Sequence, residues 1–561
     1  MNTAPEPTQP DSAFCPIDES IAVVIVGAGP TGLAAGNLLG MAGVATLIVE
    51  RNPGLSDIPK AIALDDEGLR ICQAMGLSAA INDCIVSDIS VQCVAKGQLL
   101  AKVAPLSRRN GYPLISTFNQ PEFEAVLLDG LRRFSCVETR FQHTVETFEQ
   151  GTDCIVVSMR TPTGALQKVR CAYLLACDGG RSTVRHLLNI PMRGMTFEQK
   201  WLVIDSISLA ASSPVVKIFC DPGRPAVSIP APHNGRRWEF MLLPGETEQD
   251  MLETATISAL LQQTDALPQT QIIRQAVYAF HAARAKSFSQ GCVFLLGDAA
   301  HMMPPFGGQG LNSGLRDAHN LAWKIAMVLQ NRAAPQLLST YDKERSRHAA
   351  QMIAFASFLG TLFMSSRRSL AYCRNRLIQM LFALPVTRAY FREIRIKPRA
   401  KYTAGFFLFN WRKKRLVGSL LPQPEVINQH GQRVLLDEVL GTGFALLRRH
   451  SNPEEAFASV NSDFWENLGT LFVCIQSDDA PLKRSAKKRT LHYSSYQAPC
   501  ESQMVRSSPI VVIRSAHKDF PGVSQDYFVV VRPDRFILGI FKEEEADAFV
   551  SAFQRLLQQS A

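Results

Sequence analysis

The strongest constraint on this chain is the segment Gly27-Ala28-Gly29-Pro30-Thr31-Gly32, with Gly36 one turn later. It lies between an apolar run, Ile21 to Val26, and a helix-like stretch reaching about Met41. A second apolar run, Ala45 to Val49, follows and ends at Glu50. Strand, glycine turn, helix and strand in that order predict a βαβ unit opening a parallel sheet with helices on its faces. Each glycine has a separate task. Gly27 permits the tight turn, Gly29 lets backbone approach a pyrophosphate, and Gly32 lets the helix sit close to the sheet. The pyrophosphate would lie at Pro30, on the positive end of the helix, where N–H groups have no partner. Glu50, eighteen residues past Gly32, can accept hydrogen bonds from ribose hydroxyls. This motif alone leaves FAD and NAD both open.

Two later segments choose between them. Asp178-Gly179-Gly180-Arg181-Ser182-Thr183-Val184-Arg185 follows the apolar run Tyr173 to Ala176. Gly297-Asp298-Ala299-Ala300-His301, Pro304 and Gly307-Gly308-Gln309-Gly310-Leu311-Asn312 follow the run Val293 to Leu296. A carboxylate at a strand end can hold a ribityl hydroxyl. The glycine turn lets a flavin ring lie against backbone, and the helix from about Asn312 to Leu329 aims its positive end at that ring. His301 reads as positional.

Between residues 196 and 288 the pattern changes. Short strand-like pieces are broken by Asp221-Pro222-Gly223, Pro230, Pro232 and Asn234-Gly235, which predicts an inserted antiparallel sheet. The expected organisation is a loose tail (1–20), a first part of a nucleotide domain (21–195), an inserted sheet (196–288), a second part with a basic helical region (289–420), and a separate small domain (421–561). The fold class is α/β. Thirteen cysteines, none spaced as C-x2-C, argue against a zinc site or a redox pair and predict buried thiols with no metal. The net charge of +9 is uneven: residues 361–420 hold fourteen Lys or Arg and one acid, Glu393. That segment lacks the aromatic pattern of a nucleic-acid reader, so no nucleic-acid partner is expected. A solvated basic face, attraction of an anionic cofactor or substrate, and membrane or partner contact stay open for it. The polar N-terminus lacks a basic start and apolar stretch, which predicts a cytoplasmic protein.

The three glycine-rich segments, in this order, resemble the single-component FAD-dependent aromatic hydroxylases, the para-hydroxybenzoate and phenol hydroxylase group. The likeness runs over nearly the whole chain and is strongest toward the branch acting on 3-(3-hydroxyphenyl)propionate. It includes Ala61-Ile62-Ala63-Leu64-Asp65-Asp66-Glu67, Cys220-Asp221-Pro222, Met241 to Glu248 and Arg316 to Lys324. The resemblance implies a Rossmann-like FAD-binding domain, an inserted substrate sheet and a thioredoxin-like C-terminal domain, the last suggested by Val531-Arg532-Pro533-Asp534-Arg535. It also implies that Gly27, Gly29, Pro30, Gly32, Glu50, Arg51, Lys60, Gln120, Asp178, Arg185, Gly297, Asp298, Pro304, Gly308, Gly310 and Asn312 contact or frame FAD. Lys60 stands where the family often has Arg, which keeps the charge and loses the bidentate fork.

The implied reaction uses NADH or NADPH and O2 to place one oxygen atom ortho to a phenol hydroxyl. The nicotinamide binds transiently, since no second dinucleotide motif is present. His281 is the candidate for handling the phenol proton, against a purely structural role. Arg224, Arg236 and Arg237 are candidates for holding a substrate carboxylate, against plain surface placement. Two other readings stay open: the same chemistry on a larger aromatic or polyketide, and a flavin oxidase or redox protein without hydroxylation. A homo-oligomer is compatible with all of them.

Overall fold

Glu19–Val26 runs parallel to Thr46–Val49 on one side and to Leu166–Ala176 on the other. Val137–Arg140 extends the sheet beyond the first of these and Val293–Leu295 beyond the second, also in parallel. Such a sheet must be apolar on both faces, and Val23, Ile25, Leu47, Ile48, Leu174 and Leu175 are fully buried. Helix Pro30–Met41 covers one face, packed between helices Gln120–Leu131 and Gly310–Leu329. The computed structural model describes residues 17–152, 154–208, 213–264, 266, 270–408, 415–460, 462–477, 510–515 and 523–559. Most of the expected tail, residues 1–16, lies outside them.

The second sheet has eight strands. Its centre is the long antiparallel pair Met192–Ile207 and Gln271–Ala285, flanked by Gly235–Met241, Ala226–Ala231 and Val215–Phe219. It reaches outside the expected 196–288 span, because it starts at Met192 and also takes in His301–Met302 and the hairpin of Ser90–Ala95 and Gln98–Val103. Ser90–Ala95 runs parallel to Val215–Phe219, so the sheet is mixed rather than wholly antiparallel. Turn residues announce hairpins locally; a parallel partner arrives from more than a hundred residues away and leaves no local mark.

Side-chain alternation gives this sheet two different faces. Leu202, Ile204, Trp238 and Phe240 pack on Met251, Ile257 and Leu260 of the short helices Glu248–Leu252 and Thr254–Gln262. The intervening residues Trp201, Asp205 and Arg237 face the nucleotide domain, where Trp201 meets Phe306 edge-on and Arg237 reaches the carbonyls of Pro59 and Lys60.

The C-terminal layer is a seven-stranded sheet whose parallel core is Ala445–Arg449, Leu471–Ser477 and Val511–Ser515. Phe528–Val531 and Ile537–Phe541 add antiparallel to it, and helix Ala546–Gln559 closes the chain. Tyr402, Phe407 and Val417 belong to its apolar core, so the layer begins before residue 421.

Buried charge joins this layer to the nucleotide domain. Glu344 accepts from Arg532, Lys324 and Asn320, and Asp437 accepts a two-pronged contact from Arg70. Burial works to raise the Glu344 carboxyl, but Arg532 and Lys324 overcome it and hold it down to about 2. Burial depresses His319, in the same seam, to about 4. Unfolding therefore takes up a proton at His319 between its ordinary value and about pH 4, and another at Glu344 between the ordinary carboxylate value and about pH 2. Both reduce stability as pH falls. Thermal unfolding followed from pH 7 to pH 3 should show a falling midpoint, with His319→Gln flattening the part above pH 4.

Candidate functional site

Gly27 has φ +103°, and a Cβ there would sit 2.5 Å from the carbonyl oxygen of Cys177. A Cβ on Gly32 would lie 2.0 Å from the carbonyl oxygen of Gly27. Gly29 is different: no atom stands within 4 Å of its Cβ position, and no side chain caps the helix that starts at Pro30. The first turn of that helix is thus uncapped and has open space at Gly29, the arrangement an anion needs. Glu50 is locked beside them. One carboxylate oxygen accepts from the Ala28 amide at 2.9 Å, and the other from the Asn52 backbone and side chain at 3.0 and 2.6 Å. Arg51 is exposed next to it.

The second segment meets the first at Cys177 and Asp178. Asp178 Oδ2 accepts from the Val184 amide at 3.2 Å, whereas Oδ1 is buried with no partner. Burial raises this carboxyl against the pull of Ser182 and Val184. An orphaned carboxylate oxygen is costly to bury, and a ligand hydroxyl would satisfy it. Arg185 ties the second segment to the third by donating to the carbonyls of Gly180 at 2.9 Å and Ala299 at 3.0 Å.

The third segment turns on a buried carboxylate that sequence reasoning did not single out. Asp317 accepts from the Gly297 amide at 2.9 Å, from His301 Nε2 at 2.7 Å and from Arg345 at 2.7 Å. Burial works to raise it, yet His301 and Arg345 hold it below the usual carboxylate range. Gly297 itself has φ +57° and abuts Thr31 of the first segment. Asp298, one residue on, is open to solvent, but the surrounding protein raises its carboxyl against the charges of His301, Lys60 and His281. That combination marks the floor of a recess. Pro304 is buried, and a Cβ on Gly308 would sit 2.4 Å from Ala63 Cβ. Gly310 again has open space, at the start of helix Gly310–Leu329.

Asn312 and Gln120 act on protein rather than open space. Asn312 accepts from the Asp65 amide and donates to the carbonyls of Ala63 and Gly308. Gln120 Oε1 accepts from the amides of Lys60 and Ala61 at 2.8 and 2.6 Å. Both frame the 60–65 loop. A second support has no local sequence signal: Asp65 is paired with Arg316 and Lys397, and the 59–60 carbonyls with Arg237 and Arg274. The side chain of Lys60 is exposed.

Half-buried His281 bonds Thr196 Oγ1 through Nδ1 at 2.9 Å. Arg224 makes a two-pronged pair with Glu246 at 2.6 and 2.5 Å. Arg236 donates to Ser228 and the Ser213 carbonyl, and Arg237 is buried against Asp205 at 2.7 Å. All three guanidinium groups hold protein together. Glu239, buried beside Arg237 on the same strand, is a carboxyl that the sequence reading passed over; burial raises it although Arg237 lowers it.

The three segments thus converge, Gly27 on Cys177, Gly297 on Thr31 and Gly308 on Ala63. Together they present two open helix N-termini, two carboxylates and an orphaned acceptor, which is the class of site that takes a dinucleotide. Comparison with known proteins fixes the kind. A family model described as an FAD binding domain matches residues 20–356, and one described as the HcaD C-terminal domain matches 418–556. A 3-(3-hydroxy-phenyl)propionate/3-hydroxycinnamic acid hydroxylase of Klebsiella pneumoniae (strain 342) is 36% identical over 93% of this chain and 92% of its own length. One from Escherichia coli O139:H28 is 38% identical over 82% and 83%. Among solved structures, the flavin-dependent monooxygenase PieE, in complex with FAD and substrate, superposes with TM-score 0.76 at 20% identity over 97% of this chain and 100% of its own. The p-nitrophenol 4-monooxygenase PnpA of Pseudomonas putida DLL-E4 gives 0.63 at 26% identity over 68% and 98%. The chain belongs to the FAD-dependent aromatic hydroxylase family.

The residues fit FAD: open N-termini for the pyrophosphate, Glu50 beside them, and the Asp178 orphan and Asp298 further along. Glu50→Ala and Asp298→Ala should each weaken FAD binding about ten- to a hundredfold, the value of charge-assisted hydrogen bonds. Fluorescence titration of the apoprotein measures it. Asp317→Asn leaves Arg345 without its charge partner and His301 without its carboxylate. It should cost about 3–5 kcal/mol of stability in the apoprotein, read by chemical denaturation.

Proposed function

We propose that this enzyme hydroxylates 3-(3-hydroxyphenyl)propionate, and 3-hydroxycinnamate, to the 2,3-dihydroxy products in aromatic catabolism. The observation that carries the substrate is the 36–38% identity, over more than four-fifths of both chains, to enzymes named for that activity. The net reaction joins the phenol, O2, NAD(P)H and a proton to give the catechol, NAD(P)+ and water. Bound FAD supplies the redox chemistry, accepting a hydride from the nicotinamide and activating O2. The phenol ring responds at carbon ortho or para to its oxygen, where the phenolate is electron-rich.

The tasks left to the protein are binding, orientation and proton handling. In this reading Glu50 takes the ribose, Asp178 and Asp298 take ribityl and neighbouring hydroxyls, and the N-terminus at Gly310 faces the ring end. Lys60 and Arg51 supply positive charge at the rim. Trp201, tilted against Phe280 and edge-on to Phe306, walls the space between the second sheet and the flavin loop. His281 exchanges the phenol proton; its electrostatic influence on Asp298 and its bond to Thr196 support that role. Arg237 acts on substrate indirectly, by fixing the 59–60 loop with Asp205 and Arg274. The C-terminal strand order, with Leu471–Ser477, Ala445–Arg449, Phe528–Val531 and Ile537–Phe541 adjacent in that sequence, supports a thioredoxin-like layer. Without C-x2-C it is structural. The eleven described cysteines are all free, which supports a reducing, cytoplasmic setting.

With 18O2 and NAD(P)H, label should enter the 2,3-dihydroxy product of 3-(3-hydroxyphenyl)propionate. NAD(P)H consumption with peroxide and no labelled product over a broad phenol panel refutes hydroxylation; label only in fused-ring phenols refutes the substrate. His281→Ala should lower the hydroxylation rate about a hundredfold or more and shift its pH profile, with FAD affinity unchanged.

A further inference from the structure

The basic segment found in the sequence folds into something more specific than a solvated face. Helix Arg368–Ala383 turns Ala371, Arg374 and Ile378 inward. Ile378 packs on Leu100 and Ala101 of the hairpin strand Gln98–Val103, beside Cys220, and Arg374 donates to the carbonyls of Phe363 and Cys220. That face is satisfied. A second apolar stripe, Leu370, Cys373, Leu377 and Met380, repeats every three or four residues along the same helix and points to solvent. It continues past the bend into helix Pro385–Arg392. Met380 is 67% exposed, Leu384 58% and Val386 81%. Of the sixteen exposed large hydrophobic side chains among the described residues, seven lie between Leu370 and Tyr390. So dense a cluster on a water-facing surface marks a binding surface.

Charge identifies what it binds. Arg367, Arg368, Arg376, Arg388, Arg395 and Arg399 are exposed around the stripe. The one acid, Glu393, is held by Arg392 and by the amides of Leu106 and Ser107. A second copy of this chain would bring the same arginines against them, and two heptads of apolar spacing are too few for a coiled coil. Adjoining the same stretch, a recess of about 560 Å³ has Phe355, Phe358, Ile396 and Pro398 as apolar walls and Arg399 and Lys401 among its polar ones. No single described helix is long and apolar enough to cross a membrane, and the two helices Pro335–Phe363 and Arg368–Ala383 bend by 105°. Arg376 and Arg388 bond neighbouring residues of their own segment, but none of the six arginines pairs with a carboxylate among the described residues. Apolar side chains between such arginines, on helices lying flat against the body, are the makings of an interfacial contact.

We propose that helices Arg368–Ala383 and Pro385–Arg392 dock the enzyme on an anionic lipid surface, with Leu377, Met380, Leu384 and Val386 entering the headgroup region and the surrounding arginines pairing with lipid phosphates. The holoenzyme is mixed with vesicles of phosphatidylcholine alone, or of phosphatidylcholine with 30% phosphatidylglycerol, and floated on a density gradient. The holoenzyme should float with the anionic vesicles at low salt, remain at the bottom with the neutral ones, and be released by 0.5 M NaCl. Each arginine neutralised near the surface should lower the partition about fivefold, so Arg367→Gln/Arg368→Gln/Arg376→Gln should reduce it more than fiftyfold. Leu377→Glu/Met380→Glu/Val386→Glu should abolish flotation. Both variants should keep wild-type FAD content and NAD(P)H oxidation, since none of these side chains reaches the flavin recess. Failure of the wild-type holoenzyme to float with anionic vesicles overturns the proposal without help from any variant. So does equal flotation of wild type and both variants. A wild-type dimer that the glutamate variant dissociates, by analytical ultracentrifugation without lipid, assigns the face to a second copy and overturns it as well.

Discussion

The flavin recess depends on one buried carboxylate. Asp317 projects from helix Gly310–Leu329 and gathers the Gly297 amide, His301 and Arg345 around its two oxygens. Through Gly297 it sets the turn that presents Asp298, through His301 it fixes the strand leading to the glycine loop, and through Arg345 it holds helix Thr340–Phe363. A carboxylate this deep is tolerable only with its partners in place. The turn, the helix and the strand are therefore positioned together or not at all, which is how a site made of glycine-rich loops acquires a definite shape.

Around that fixed point the recess keeps unsatisfied groups aimed inward. The helix starts at Pro30 and Gly310 carry no side-chain cap, Asp178 keeps a buried oxygen without a partner, and the carboxyl of Asp298 is open. Their cost in the empty protein is the counterpart of the affinity expected when pyrophosphate and hydroxyls fill them. The protein's own polar side chains, Gln120, Asn312 and Arg185, are committed to backbone and serve as struts between the loops.

The second sheet is bound to this recess by charge as well as by apolar contact. Asp205, Arg237 and Arg274 form a buried cluster whose arginines grip the carbonyls of residues 59 and 60. The loop that ends in Lys60 is thereby clamped between the sheet and Gln120. The same logic recurs at the C-terminal layer, where Glu344 and Arg532 meet across the seam. Acid acts on that seam directly, because the carboxylate and the neighbouring neutral histidine both bind more protons once unfolded.

The sequence by itself determined the parallel nucleotide sheet and the three segments that build the cofactor recess, because these depend on local events: a strand ending in glycines, a helix starting beside them, an acid at a strand end. Family likeness added the reaction. It did not determine which side chains sit at an open helix end, since Glu50 and Asn312 look equally suited until distances show Glu50 bonded to Ala28 beside the helix start at Pro30 and Asn312 bonded to the loop at Ala63 and Asp65. Arg224, Arg236 and Arg237 read as surface side chains or as anchors for a carboxylate, because an arginine in sequence carries no sign of its partner. Tertiary structure supplied Glu246 to the first, Ser228 and a backbone carbonyl to the second, and Asp205 to the third. The hairpin at 90–103 joined a sheet more than a hundred residues downstream, and Asp317 became the hub of the site, for the same reason. Long-range pairing is decided by which surfaces and charges meet on collapse, and neither periodicity nor turn chemistry records that meeting.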